Sequence, residues 1–274
     1  MTDERATAGD YAVEGGLAEE HRLAVLSRIM SGPTTRLFGE IGVADGWDCL
    51  DVGSGGGQVA LTLAGLVAPS GAVTGVDTDG TVLGHATTAA RDQELANVEF
   101  ERADAYALPY RDRFDLAYSR LVLCYLTEPV RALREMAAAV RPGGVVAVED
   151  VFTDTLRSEP ATPVLDDLRR VYGATVRAHG GDPTIGPRLP ALFRAAGLTN
   201  VRASSVVNAL RTAAEKGFLV ALVDSIRASA LAAGAASADE LDALRLAVRA
   251  AAEDPGCTIY QAQIHEVYGM RAAG

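Results

Sequence analysis

The chain has 274 residues, 49% of them hydrophobic and 22% charged, with a formal net charge of −11, enough apolar material for one large domain or a domain with a sizeable insertion. The acidic balance argues against a nucleic-acid substrate, which calls for a basic face to displace counterions from phosphates. No apolar run approaches the ~20 residues of a membrane span, and the polar opening "MTDERATAGD" lacks the form of a secretory leader, so a cytoplasmic chain is expected.

Residues 17–31 set Leu17, Leu23, Leu26, Ile29 and Met30 at helical spacing. Pro33 suits the first turn of a second short helix. "WDCLDV" reads as a buried strand, "QVALTLAGLVA" as a helix stopped by Pro69 and Gly71, and "AVTGVD" as the next strand. A helix from Asp79, a plausible N-cap, leads to the strands "NVEFERAD" and "RFDLAYSR". The helix "PVRALREMAAAV" stops at "RPGG", and "VVAVEDVF" is the fifth strand. This alternation over 47–151 predicts a doubly wound, mostly parallel α/β sheet covered on both faces. Ligands of such sheets sit beyond the carboxyl ends of the strands.

After residue 151 the rhythm changes. "PATPVLDDLRRVYGATVRAHG" and "GPRLPALFRAAGL" read as helices and "NVRASSVVNAL" as a sixth strand. Residues 213–233 and 237–253 read as two alanine-rich helices, and "CTIYQAQIHEVYGMR" as a long seventh strand. Cys49, Cys124 and Cys257 form no CxxC pair, so neither a zinc site nor a disulfide framework is indicated. Glu149, Asp150 and Asp154 are too loosely spaced, without a histidine partner, to predict a metal.

The sharpest feature is the turn in "CLDVGSGGGQVAL". A Walker loop needs GK[ST] after its glycines, and "GGQV" follows here. The dinucleotide pattern GxGxxG finds Gly53 and Gly55 but Gln58 in the third position. The pattern D-x-G-x-G-x-G is matched in full by Asp51, Gly53, Gly55 and Gly57. A carboxylate at that strand end sits poorly beside a pyrophosphate and well beside an ammonium or sulfonium. Asp77, twenty-six residues on, ends the second strand, where an acid can accept both hydroxyls of a ribose. Asp104 in "ADAYALP" ends the third, where a side chain can meet an adenine edge.

With these residues the chain resembles the class I S-adenosylmethionine-dependent methyltransferases of the bacterial small-molecule type. The matching stretches are "LDVGSGGG", "VTGVD", "VEFERADAYALPY", "FDLAYSRLVLCYL" and "LREMAAAVRPGGVVAVED", in the expected order and spacing. "YAVEGGLAEEHRL" and "IGPRLPALFRAAGLTNV" resemble further segments of that family; residues 210–256 resemble nothing identified. The resemblance implies a seven-stranded Rossmann-like sheet with helical lid insertions. It divides the chain into an N-terminal helical lid (1–40) and a cofactor-binding domain (41–274), with insertions at about 155–182 and 212–255. It implies S-adenosylmethionine as cofactor. Gly53, Ser54 and Gly55 would line its methionine part, with Asp51 near the amino group and Arg120 beside the same portion. Asp77 would bind the ribose, Thr78 would flank the adenine, and Asp104 and Ala105 would meet its edge. Tyr11, Gly16 and Arg22 would belong to the lid, Arg22 pairing the cofactor carboxylate.

Methyl transfer from a sulfonium needs alignment and dryness more than acid–base groups. The candidates for acceptor contact are Tyr125, where relatives often carry His, Asp150 as base or amine anchor, and His179 as a base. The expected function is methyl transfer to an O, N or activated C atom of a small metabolite, in secondary metabolism. The expected partner is that small acceptor, with no nucleic acid, membrane or metal, and a homodimer left open. Two other readings stand beside it: a nicotinamide-dependent oxidoreductase, and a cofactor-binding protein of this fold with a non-methylating reaction.

Overall fold

The computed structural model describes residues 17–273. α1 (Leu17–Ile41) leads into β1 (Asp48–Val52), α2 (Gln58–Val67), β2 (Ala72–Asp77), α3 (Gly80–Asp92), β3 (Val98–Arg102), β4 (Phe114–Arg120), α4 (Pro129–Ala139) and β5 (Val140–Phe152). β6 (Arg157–Glu159), α5 (Val164–Ala178), α6 (Leu189–Ala195), β7 (Thr199–Val206) and β8 (Ala209–Leu210) follow. The chain continues through α7 (Ala213–Lys216), α8 (Phe218–Ser225), α9 (Arg227–Ala232), α10 (Ala238–Glu253), β9 (Thr258–Tyr260) and β10 (Gln263–Met270).

Seven strands form one sheet in the order β3-β2-β1-β4-β5-β10-β7. All pairs from β3 to β5 are parallel, and β10 runs antiparallel to both β5 and β7. This is the doubly wound, mostly parallel sheet that the alternating apolar runs predict. Strand order reverses between β1 and β4, so a crevice opens there above the carboxyl ends. β4 is buried along nearly its whole length, as a central parallel strand covered on both faces must be.

The order of elements departs from the sequence reading in three places. α1 is one continuous helix with Pro33 inside it, not two helices. Proline removes one hydrogen bond of the helix, and burial on both sides of it outweighs that loss: Val25, Leu26 and Met30 pack into a helical roof, while Leu37 and Phe38 pack against the sheet. The segment 213–233 breaks into three short helices rather than one. The last strand is also interrupted. β9 leaves the main sheet to pair with β6 and β8 in a second, three-stranded sheet. Buried Gln261 marks the break, donating its backbone N–H to Asn208 O at 2.9 Å.

The roof has its own core, built from α1, α5, α8 and α10 through residues such as Leu168, Val171, Leu219 and Leu241. Lys216, the chain's single lysine, is wholly buried at its margin. Its Nζ donates to Asp254 O at 2.6 Å, Cys257 O at 2.9 Å and Ala251 O at 3.5 Å, closing the C-terminal end of α10. All three cysteines are free and buried. Among the described residues no helix is long and apolar enough to cross a membrane.

Candidate active site

At the end of β1 the chain enters the glycine turn, and the turn is fixed to the neighbouring strand. The N–H groups of Gly53 and Ser54 both donate to Val76 O, at 2.8 and 2.9 Å. Gly53 has φ +72°, in the left-handed region that favours glycine. A Cβ added there would lie 2.3 Å from Val122 Cγ2, so the position admits only a bare backbone. Asp77 ties the tip of β2 to the same turn. Its Oδ2 accepts the Gly55 N–H and its Oδ1 the Asp79 N–H, both at 3.0 Å.

These groups wall a cavity of about 430 Å³ above the strand-order reversal. Asp51, Gly53, Ser54 and Gly55 line it from the turn, Asp77 and Thr78 from β2, and Ala105 from the loop after β3. Arg120, Tyr125 and, from α1, Arg22 complete the set of expected residues on its wall. Tyr11 and Gly16 lie outside the described residues.

Asp51 is the electrostatic centre of this wall. It is 2% exposed, and its Oδ2 has no hydrogen-bond partner among the described residues. Burial pushes its acid up to about 7; Asp77 adds to the rise, and Arg120 and the Ala60 N–H oppose it. An acceptor so placed is suited to a cationic donor.

Arg120 links the cavity to α1. Its Nη2 donates to Ser27 Oγ at 2.6 Å and its Nη1 to Thr34 Oγ1 at 3.4 Å. Thr34 Oγ1 in turn donates to Glu149 Oε2 at 2.7 Å, an oxygen that also accepts the Tyr118 hydroxyl. Further along α1, Arg36 holds both oxygens of buried Glu266 at 2.9 and 2.7 Å. The helix covering the cavity is therefore bound to the sheet by a run of polar contacts. None of these contacts follows from local sequence, because each joins residues far apart in the chain.

Two expectations are corrected, for Asp150 and His179. Asp150 is fully buried and off the cavity wall. Its Oδ2 accepts the Cys124 N–H at 3.0 Å and its Oδ1 accepts its neighbour Val151 N–H at 2.8 Å. It cannot reach an acceptor as a base or anchor; it fixes the short 3-10 turn Leu123–Tyr125 instead. His179 caps the C-terminal end of α5, its Nδ1 bonded to Thr175 O at 2.8 Å, away from the cavity. Asp104 is exposed, with its Oδ1 accepting the Tyr106 N–H at 2.8 Å, and stands between Ala103 and Ala105 of the cavity wall without being part of that wall itself.

A second cavity, of about 80 Å³, adjoins the first and shares Arg22, Leu26, Leu121 and Tyr125 with it. Tyr172 of α5, Phe218 and Leu219 of α8, and Ile264 of β10 close it. The hydroxyls of Tyr125 and Tyr172 are 2.9 Å apart. Among the described residues no group of three or more His, Cys, Asp or Glu side chains is placed to hold a metal.

A strand-ended acid, a glycine turn with no room for a Cβ at Gly53 and a second acid on the next strand form a candidate nucleoside site on a doubly wound sheet. Residues 50–148 match the family model described as a methyltransferase domain. That stretch, residues 50–148, carries a methyltransferase domain of the S-adenosylmethionine-dependent kind. The residues present fit that cofactor: Asp51 belongs to the cavity wall, and its buried Oδ2 has no partner among the described residues, which suits a cationic ligand.

The chain is similar to the ubiquinone/menaquinone biosynthesis C-methyltransferase UbiE of Hahella chejuensis, 33% identical over 133 residues covering 48% of this chain and 51% of that protein. It is also similar to a demethylmenaquinone methyltransferase of Staphylococcus aureus, 33% identical over 140 residues covering 50% of this chain and 54% of that protein. The chain thus spans about half the length of the curated relatives it matches. The crystal structure of YcgJ from Bacillus subtilis shares the fold, with a TM-score of 0.57 at 18% identity over 84% of this chain and 94% of that one.

Proposed function

We propose that this protein transfers a methyl group from S-adenosylmethionine to an O, N or activated C atom of a small metabolite, in secondary metabolism. The observation that carries the reading is the buried Asp51 carboxylate with one unpartnered oxygen in the wall of the glycine-turn cavity. When bound, the cofactor supplies a methyl group whose bond to sulfur breaks, the electron pair returning to sulfur, as a lone pair of the acceptor forms the new bond. In this reading Asp51 holds the ammonium, Asp77 takes the ribose hydroxyls, and the bare backbone of Gly53 and Gly55 lets the ligand approach closely. α1 and the roof helices exclude water from the reacting atoms. The enclosed roof and the net charge of −11 support a small acceptor over a polymer. The names of the menaquinone-pathway relatives make a ring-bearing metabolite a reasonable first acceptor class to screen.

The test is calorimetry with S-adenosylmethionine, S-adenosylhomocysteine and NADH. Binding of the first two and not the third supports the proposal. Binding of NADH alone would transfer the chain to nicotinamide chemistry. In a folded Asp77→Ala variant, affinity for S-adenosylhomocysteine falls by ~1–3 kcal/mol, the cost of removing a charged acceptor.

A further inference from the structure

A row of ionisable side chains crosses the face of the sheet that α1 covers. Asp51 of β1 stands opposite Tyr118 of β4, Arg120 of β4 opposite Glu149 of β5, and Glu149 opposite Glu266 of β10. Partners in register point to the same face, and Tyr118 and Arg120, two residues apart on one strand, share it. Asp51, Tyr118, Glu149 and Glu266 are all buried. Glu266 has its own cation in Arg36 and also accepts the Ser204 hydroxyl at 2.7 Å. Arg120 is the guanidinium whose charge favours ionisation of both remaining acids, Asp51 on one side and Glu149 on the other.

The hydrogen bonds commit Arg120 to the Glu149 side. The Tyr118 and Thr34 hydroxyls both donate to Glu149 Oε2. With its hydrogen spent there, Thr34 Oγ1 offers its lone pairs to Arg120 Nη1, while Ser27 Oγ accepts from Nη2. Asp51 lines the same cavity as Arg120, yet its buried Oδ2 is left without a partner among the described residues. A carboxylate and a guanidinium attract strongly in a dry site. An Arg120 no longer held from the Glu149 side would close on that oxygen and take the place of a cationic ligand.

We propose that Glu149 is a positioning residue for cofactor binding: its carboxylate holds Arg120 back from Asp51 and so keeps Asp51 open to the ligand's ammonium. The proposal rests on the reading of Asp51 as the ammonium site. Glu149 is not part of the cavity wall and acts through Arg120 alone.

Glu149→Gln tests it, because the amide keeps an acceptor for both hydroxyls and loses the charge. Calorimetry compares S-adenosylhomocysteine with methylthioadenosine, which has the nucleoside and the thioether but no ammonium. S-adenosylhomocysteine is expected to bind the variant about tenfold more weakly or worse, the scale of one charge-assisted hydrogen bond. Methylthioadenosine stays within about twofold of wild type. In an Arg120→Met background Glu149→Gln changes S-adenosylhomocysteine affinity by less than about twofold, since the group that closes on Asp51 is gone. Thr34→Val cuts the relay without touching the carboxylate; it shows the same pattern to a smaller degree and stands in if Glu149→Gln does not fold. Equal loss of both ligands, or an equal loss with and without Arg120, overturns the proposal. Crystal structures of the unliganded wild-type and Glu149→Gln proteins read the guanidinium directly. Arg120 bonded to Asp51 in the variant is expected, and Arg120 still on Ser27 and Thr34 overturns the proposal. If the wild-type protein binds neither nucleoside, the Asp51 reading falls, while the position of Arg120 in the two crystal structures still decides what Glu149 holds in place.

Discussion

The Oδ2 atom of Asp150 accepts the backbone N–H of Cys124 at 3.0 Å, joining the end of β5 to the turn that carries Tyr125. An acid that the sequence offers as a reacting group is thus a positioning residue. Its second oxygen accepts the Val151 N–H, so both oxygens hold backbone.

Asp150→Ala leaves two N–H groups without their acceptor and is expected to cost ~1–3 kcal/mol of stability for each that stays dry. Urea unfolding measures it. Asp150 is absent from the cofactor cavity, so any loss of cofactor affinity in the folded variant comes through the displaced Leu123–Tyr125 turn, whose Tyr125 lines it. Burial raises the Asp150 acid to about 6, with its hydrogen bonds opposing. The folded state therefore keeps a proton that the unfolded chain has lost between about pH 4 and 6, and stability falls as pH rises through that window. An Asp150→Asn variant shows a flatter profile over the same range.

Asp51 predicts a pH-dependent affinity. Its acid is raised to about 7, so half the free protein carries a proton there at neutrality. A cationic ligand favours the carboxylate, and below pH 7 binding must expel that proton. Affinity for S-adenosylmethionine is expected to weaken by up to tenfold per unit as pH falls below 7. Calorimetry in buffers of different ionisation enthalpy detects the released proton, and Asp51→Asn removes both the slope and the release.

Gly53→Ala puts a methyl group 2.3 Å from Val122 at a φ of +72°. The turn must shift to accept it, and affinity for S-adenosylhomocysteine is expected to fall by more than tenfold. Gly55→Ala meets only Leu23 Cδ1 at 3.7 Å and carries the milder strain of φ +51°. The ratio of the two dissociation constants tests whether close backbone approach at Gly53 is the controlling contact.

Arg120→Met cuts the link from the cavity to Ser27 and Thr34 of α1. Limited proteolysis within 17–41 should speed up several-fold, and bound S-adenosylhomocysteine should protect the variant less than wild type. Equal protection would show that the Arg120 contacts are not what holds α1, leaving its apolar faces and the Thr34–Glu149 and Arg36–Glu266 contacts.

The parts of the site that were legible in sequence are those made by short segments. The glycine turn, Asp51 and Asp77 announce themselves because a strand end and the turn after it fix where their atoms go. Tyr172 and the α8 wall were not legible, since Phe218 and Leu219 look like any apolar helix until the roof places them over β10. Asp150 misled because an acid beyond a strand end can face the crevice or the loop beneath it, and only the path of Leu123–Tyr125 decides which. Pro33 misled for a similar reason: proline's cost is local, while the packing that keeps α1 continuous through it comes from two different cores.

The burial of Lys216 has a practical corollary. With its ammonium hydrogens directed at three carbonyls, the chain's sole lysine side chain is shielded from acylating reagents as long as the roof stays intact. Amine labelling at this one position, read by mass spectrometry, would then count opening events of the α7–α10 region directly, making a single residue a clock for how often that region comes apart.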